Sequence, residues 1–247
     1  MKFEIDQRAC TILYNILVSQ EDKKSWLLPS NVCPIVVATF IKANRTFHFV
    51  DINEKTLCID QKSVLGRVKY NSSKYAGLLF VRSYGTEESF EDFFKEIKQL
   101  DSKVVIIDDH CLSTPWFHMF PKIADVSLYS TGYSKQVDLG YGGYAFLKDE
   151  VKYEKQELNF EKTYLDIINA NFRDVVNGLD KLVHSNINHD WLESKDFTDK
   201  EESHYREQLM MERNFSCDIR DEFNQKYSSY LSKEIQLNRK FQNWRFN

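Results

Sequence analysis

From residue 26 to residue 147, short apolar runs alternate with longer amphipathic stretches. The short runs are Trp26-Leu27-Leu28, Phe47-His48-Phe49-Val50, Gly77-Leu78-Leu79-Phe80-Val81 and Val104-Val105-Ile106-Ile107. Runs of that length between polar segments predict buried strands. Between them, Val32 to Ala43, Asp60 to Val68 and Glu87 to Leu100 carry apolar residues at helical spacing. In the last stretch these are Phe90, Phe93, Phe94, Ile97 and Leu100. Such alternation predicts an α/β fold: three layers, with a mostly parallel sheet flanked by helices. In open sheets of this kind, ligands sit outside the carboxyl ends of the strands.

Upstream of this block, Asp6 is expected to cap a helix over Gln7 to Ser19, with Ile12, Leu13, Ile16 and Leu17 on one face. The amino end of that helix is suited to hold an anion. Downstream of Leu147 the sequence turns charged and Asn-rich, Gly178 is its only glycine, and proline is absent. Phe160 to Val183 and Asp199 to Leu237 are predicted as long helices, the second with a break near Asn214 to Cys217. The expected organisation is a large domain over 1–150 and a helical region over 151–247.

Charge and composition narrow the class of function. A net charge of -4 arises from 33 basic and 37 acidic residues without long blocks of one sign. That balance gives no electrostatic footprint for nucleic acid or an anionic membrane. The apolar runs stop well short of the roughly 20 residues that span a bilayer, and the amino terminus lacks a secretory pattern. A soluble, cytoplasmic protein is expected. Cys10, Cys33, Cys58, Cys111 and Cys217 are scattered without a CxxC pair, and the six histidines show no HExxH spacing. Reduced thiols and no metal site are expected.

The candidate chemistry lies at two strand ends. The run Val104 to Ile107 closes on Asp108-Asp109-His110. The run Val126-Ser127-Leu128-Tyr129 leads into Ser130-Thr131-Gly132-Tyr133-Ser134-Lys135 and then Gly140-Tyr141-Gly142-Gly143. A lysine becomes a covalent catalyst by reacting with a carbonyl cofactor, most often pyridoxal phosphate. Such a cofactor also needs a carboxylate against its pyridine nitrogen and hydroxyl or N–H donors for its phosphate. Lys135, Asp109 and Ser130 meet these three demands. Singly, each residue type is ordinary in a loop or turn, so order and spacing carry the argument.

These segments resemble the DegT/StrS family of pyridoxal-phosphate-dependent sugar aminotransferases, which have the aspartate-aminotransferase-like fold. The resemblance runs from about Ser25 to Leu147. It includes Leu28-Pro29-Ser30-Asn31-Val32-Cys33-Pro34, Phe47 to Asn53 with Ile59-Asp60, Ile106-Ile107-Asp108-Asp109, Ser130 to Lys135 and Gly140 to Gly143. It implies pyridoxal 5'-phosphate as cofactor, Asp109 at the pyridine nitrogen with Asp108 as the alternative, Ser130 at the phosphate, and Lys135 as covalent anchor and proton carrier.

It further implies a cofactor-binding domain over 1–150, an incomplete small domain over 151–247, a chain shortened at its carboxyl end, and a homodimer. The implied reaction moves an amino group from an amino acid donor to a keto-sugar nucleotide, in amino-sugar or surface polysaccharide biosynthesis. The same residues also suit a pyridoxal-phosphate-dependent sugar dehydratase or lyase, or a non-catalytic scaffold or dimerisation protein. One segment and two single positions depart from the family pattern. Gln7-Arg8-Ala9-Cys10-Thr11-Ile12 replaces a Gly-Thr-Ala-Ala-Leu-like segment, Leu112 replaces a glutamine or histidine, and Tyr133 replaces a histidine.

Overall fold

Seven strands form one sheet in the computed structural model, which describes residues 1–20, 24–117, 121–159, 166, 170 and 197–236. The strands are β1 (Lys2–Asp6), β2 (Ser25–Pro29), β3 (Phe47–Val50), β4 (Tyr75–Val81), β5 (Val105–Asp109), β6 (Val126–Ser130) and β7 (Gly143–Leu147). Across the sheet they run β1-β7-β6-β5-β4-β2-β3. The pairs from β3 to β6 are parallel, whereas β7 is antiparallel to both β6 and β1. The mostly parallel α/β sheet expected from the alternating pattern is borne out. β4 is buried along its whole length, as a central strand covered on both faces must be.

Helices α1 (Ala9–Ser19) and α2 (Pro34–Lys42) close one face. Ile12, Leu13, Ile16 and Phe40 pack there with Trp26, Leu28, Leu79, Ile107 and Leu128. Helices α3 (Gln61–Tyr70) and α4 (Glu91–Leu100) close the other, where Val64, Val68, Phe93, Phe94 and Ile97 meet Leu27, Leu78, Phe80 and Ile106. Successive strand residues thus divide between the two cores, as the pleat requires. Local signals set the helix starts. Asp60 accepts from the Ser63 N–H at 2.8 Å, Pro34 opens α2, and Glu91 and Asp92 sit in the first turn of α4.

Two expectations are corrected. Asp6 does not cap α1: it ends β1, and Arg8 holds the N-cap position without a side-chain bond. Phe3 and Ile5 alternate with polar residues and pack with Tyr144 and Phe146, so pairing with β7 buries a strand where a helix lead-in was expected. The long helix α5 (Asp199–Tyr230) runs unbroken through Asn214 to Cys217 and stops short of Leu237. A capping box between Thr198 and Glu201 starts it. Its middle is tied to the body by Arg213, which donates to the Pro115 carbonyl at 3.1 Å and lies 3.7 Å from the Trp116 ring centroid.

Tyr205 and Leu209 of α5 are buried with Tyr129, Tyr144 and Phe146, while Met211, Phe215, Ile219, Phe223 and Tyr227 are exposed. The helix expected over Phe160 to Val183 lies, apart from residues 166 and 170, outside the described residues. Among the described residues no helix is long and apolar enough to cross a membrane. Among them also, no cluster of three or more His, Cys, Asp or Glu is placed to hold a metal ion.

Candidate active site

The carboxyl ends of β5 and β6 bring Asp109 and Ser130 to one side of the sheet. β5 and β6 are neighbours, with Asp109 registered against Leu128. Asp109 alternates with Ile107, and Ser130 with Leu128, so both face the side that α1 covers. Asp108 alternates with Ile106 and faces the opposite side.

That parity gives the two acids different electrostatics. Asp108 receives a two-pronged bond from Arg82, Nε to Oδ1 and Nη2 to Oδ2, both at 2.9 Å, and His110 Nε2 lies 3.1 Å from Oδ2. Burial pushes the Asp108 carboxyl up, but His110 and Arg82 together hold it below the ordinary carboxylate value. The His110 ring in turn stacks on Tyr129, with centroids 4.8 Å apart. Asp108 is therefore committed to an internal ion pair.

Asp109 is 4% exposed, and its Oδ1 accepts from the Cys111 N–H at 2.8 Å. Burial raises its carboxyl above the ordinary value, while the Cys111 bond and the charges of Lys135 and His110 pull it partly back. A buried carboxylate in that condition gains most from a cationic partner. Lys135 stands near enough for its charge to act on Asp109 and on the thiol of Cys111.

The loop from β6 to β7 that carries Lys135 is tightly turned. Ser134 has a φ of 63°, and its N–H donates to Asp138 Oδ2 at 2.7 Å. The other Asp138 oxygen accepts from the Gly140 N–H at 2.9 Å. Lys135 itself is half-buried, and its N–H donates to the Gly132 carbonyl at 3.3 Å. At the start of the loop, Ser130 Oγ accepts from the Gly132 N–H at 3.3 Å, so its own proton can be given to a ligand.

The start of α1 borders the same place. The Gly142 N–H donates to the Gln7 carbonyl at 2.7 Å, and a Cβ at Gly143 would run into the main chain of Ala9. Glycine at 143 is what lets the helix approach so closely. The Cys10 thiol lies against the N–H groups of Cys10 and Thr11, is pushed up by burial to about 11, and also acts on Cys111. The Thr11 hydroxyl is buried with no hydrogen-bond partner among the described residues. An orphaned hydroxyl at a helix start suits an anion. Arg8 is half-buried at the same helix start, and burial lowers its pKa.

Lys135, Asp109 and Ser130 are thus gathered around one end of β5 and β6. Tyr133 is exposed, and Leu112 packs against the core under α1 and α2. Sequence reasoning missed the contribution of α5. Thr131 Oγ1 is 2.9 Å from Tyr205 OH, Tyr141 OH donates to Gln208 Oε1 at 2.6 Å, and Gln136 Nε2 is 3.9 Å from Cys217 Sγ. The spacing of these pairs, all more than sixty residues apart, carries no sequence signal.

No family model and no curated protein matches the sequence. Solved structures do match. A DegT DnrJ EryC1 StrS aminotransferase from Brucella abortus is 13% identical, with all of this chain and 65% of that one covered at a TM-score of 0.66. A protein from Bacillus cereus ATCC 10987 assigned as a PLP-dependent aminotransferase is 15% identical, with 97% and 62% covered at 0.63. The E. coli GDP-4-keto-6-deoxy-D-mannose-3-dehydratase with bound hydrated PLP is 18% identical, with 61% and 40% covered at 0.50. The chain spans from about two fifths to about two thirds of the length of these structures. The resemblance expected from the sequence is matched in three dimensions, and this chain shares the fold of the Brucella abortus aminotransferase.

Proposed function

We propose that this chain binds pyridoxal 5'-phosphate between the ends of β5 and β6 and the start of α1, and that it moves an amino group from an amino acid donor to a keto-sugar nucleotide. The observation that carries the proposal is the shared end of β5 and β6, where Asp109 is buried and Ser130 opens the loop of Lys135, whose charge reaches Asp109. The other features fit the same group: the Ser130 hydroxyl, and the Thr11 hydroxyl at the first turn of α1, which has no partner among the described residues.

Each residue then has a task. Asp109 would pair with the ring nitrogen and so favour a protonated, electron-accepting ring. Ser130 and the Thr11 hydroxyl at the first turn of α1 would take the phosphate. Lys135 would be the covalent anchor, and its Nζ would take a proton from the substrate carbon and return it. When bound, the cofactor supplies an aldehyde for amines and a ring that accepts the electrons of a carbanion.

The E. coli neighbour, a dehydratase, favours one second reading, a sugar dehydratase using the same lysine, acid and serine. Two measurements decide. Titrating the purified protein with pyridoxal phosphate should produce a visible absorption band distinct from that of the free cofactor. Keto-sugar nucleotide should then yield amino sugar only when glutamate is present. Loss of water from the sugar without amine incorporation would replace transfer by dehydration, and an unchanged cofactor spectrum would overturn both readings.

A further inference from the structure

In the loop bearing Lys135, the N–H groups of Ser134, Lys135 and Gly140 are satisfied internally, through Asp138 and Gly132. Two of its carbonyls are taken from outside. Arg220 of α5 donates from Nη2 to the Lys135 carbonyl and from Nε to the Gln136 carbonyl, both at 3.0 Å. A guanidinium is a planar fork with donors at fixed spacing, so one side chain can fix two successive peptide groups. One turn earlier on α5, Cys217 meets the side chain of Gln136, which is 2% exposed. Nearer the start of the same helix, Tyr205 and Gln208 hold Thr131 and Tyr141 at the two ends of the loop. The helix therefore grips this loop at four residues, and the grip on Lys135 is to its main chain, which leaves the side chain free to project.

We propose that Arg220 is a positioning residue for Lys135: by pinning the 135 and 136 carbonyls to α5, it aims the lysine side chain at Asp109. The proposal rests on the role given to Lys135 above. It assigns α5, which lies outside the sheet and touches the loop, a part in organising the site.

Hydrogen exchange of the full chain without added cofactor reads the pinning directly. In Arg220→Met, amides between residues 131 and 139 should exchange about tenfold faster, with β4 and β5 unchanged. Arg220→Lys can reach one carbonyl but cannot fork to two, so it should fall between Met and the parent. Lys226→Met, on the outer side of α5, should behave as the parent. In a second readout, pyridoxal phosphate followed by borohydride marks reactive lysines. The share of label on Lys135 relative to surface lysines should drop about tenfold in Arg220→Met and partly recover in Arg220→Lys.

Unchanged exchange in the loop, or an equal rise throughout the sheet, would overturn the proposal. If Arg220→Met does not fold, the same comparison is decided by Arg220→Lys. Should the loop loosen as expected while the parent protein takes no label at Lys135, the pinning stands and the cofactor assignment falls.

Discussion

Lys135→Ala is expected to abolish amino transfer for practical purposes, lowering the rate by about 10²–10⁴-fold, the contribution of a positioned proton carrier alone. Loss of the covalent anchor acts in the same direction. The fold should survive, because the side chain is half-buried in a loop whose shape is held by main-chain bonds and by Asp138. Its removal also deletes one of the charges that pull Asp109 down, so the Asp109 carboxyl should titrate still higher. Single-turnover transfer, measured beside a denaturation curve, checks both halves. A variant that keeps transfer within tenfold of the parent would remove Lys135 from the mechanism.

Asp108→Ala is expected to be the most destabilising single change in this region, costing about 3–5 kcal/mol, as when one partner of a buried ion pair is removed. It strands the Arg82 guanidinium, which also donates to the Glu88 carbonyl and lies 5.3 Å from the Phe90 ring centroid. It also strips His110 of its acceptor. The folded pKa of Asp108 lies below its unfolded value, so its contribution is present above the unfolded value near about 3.9 and is lost as pH falls through the folded one.

Its neighbour behaves in the opposite sense. The folded pKa of Asp109 is raised, so ionising it costs stability at neutral pH, and that cost disappears as pH falls toward the unfolded value. Asp109→Asn should therefore raise the urea midpoint at neutral pH, lose that advantage in acid, and weaken cofactor binding. Two adjacent carboxylates with opposite pH signatures is a sharp expectation, and midpoints of both variants across acid and neutral pH test it.

The sheet was legible because its strands are short apolar runs and its helices carry their own signals, such as Asp60 at the start of α3 and Pro34 at the start of α2. The acid pair at the end of β5 was legible too. Strand parity sends Asp108 and Asp109 to opposite faces, but only the partners tell which face is which. Arg82 and His110 claim Asp108, and α1 covers the side of Asp109.

What stayed hidden depends on distant contacts. β1 is five residues long, and its alternation of Phe3 and Ile5 acquires meaning only beside β7. The Asn214 to Cys217 stretch has weak helix formers, yet the contacts of Arg213 with Pro115 and Trp116 keep α5 continuous there. The reach of Arg220 to a carbonyl 85 residues away has no counterpart in local sequence.

The central claim is that one small ring lies between Lys135 and Asp109. The most direct measurement treats the purified protein with pyridoxal phosphate and borohydride, digests it, and locates the added phosphopyridoxyl group by mass spectrometry. The account predicts a single dominant site at Lys135 in the parent and its loss from that site in Asp109→Ala. Label spread over surface lysines, or label on Lys135 that is indifferent to Asp109, would contradict it.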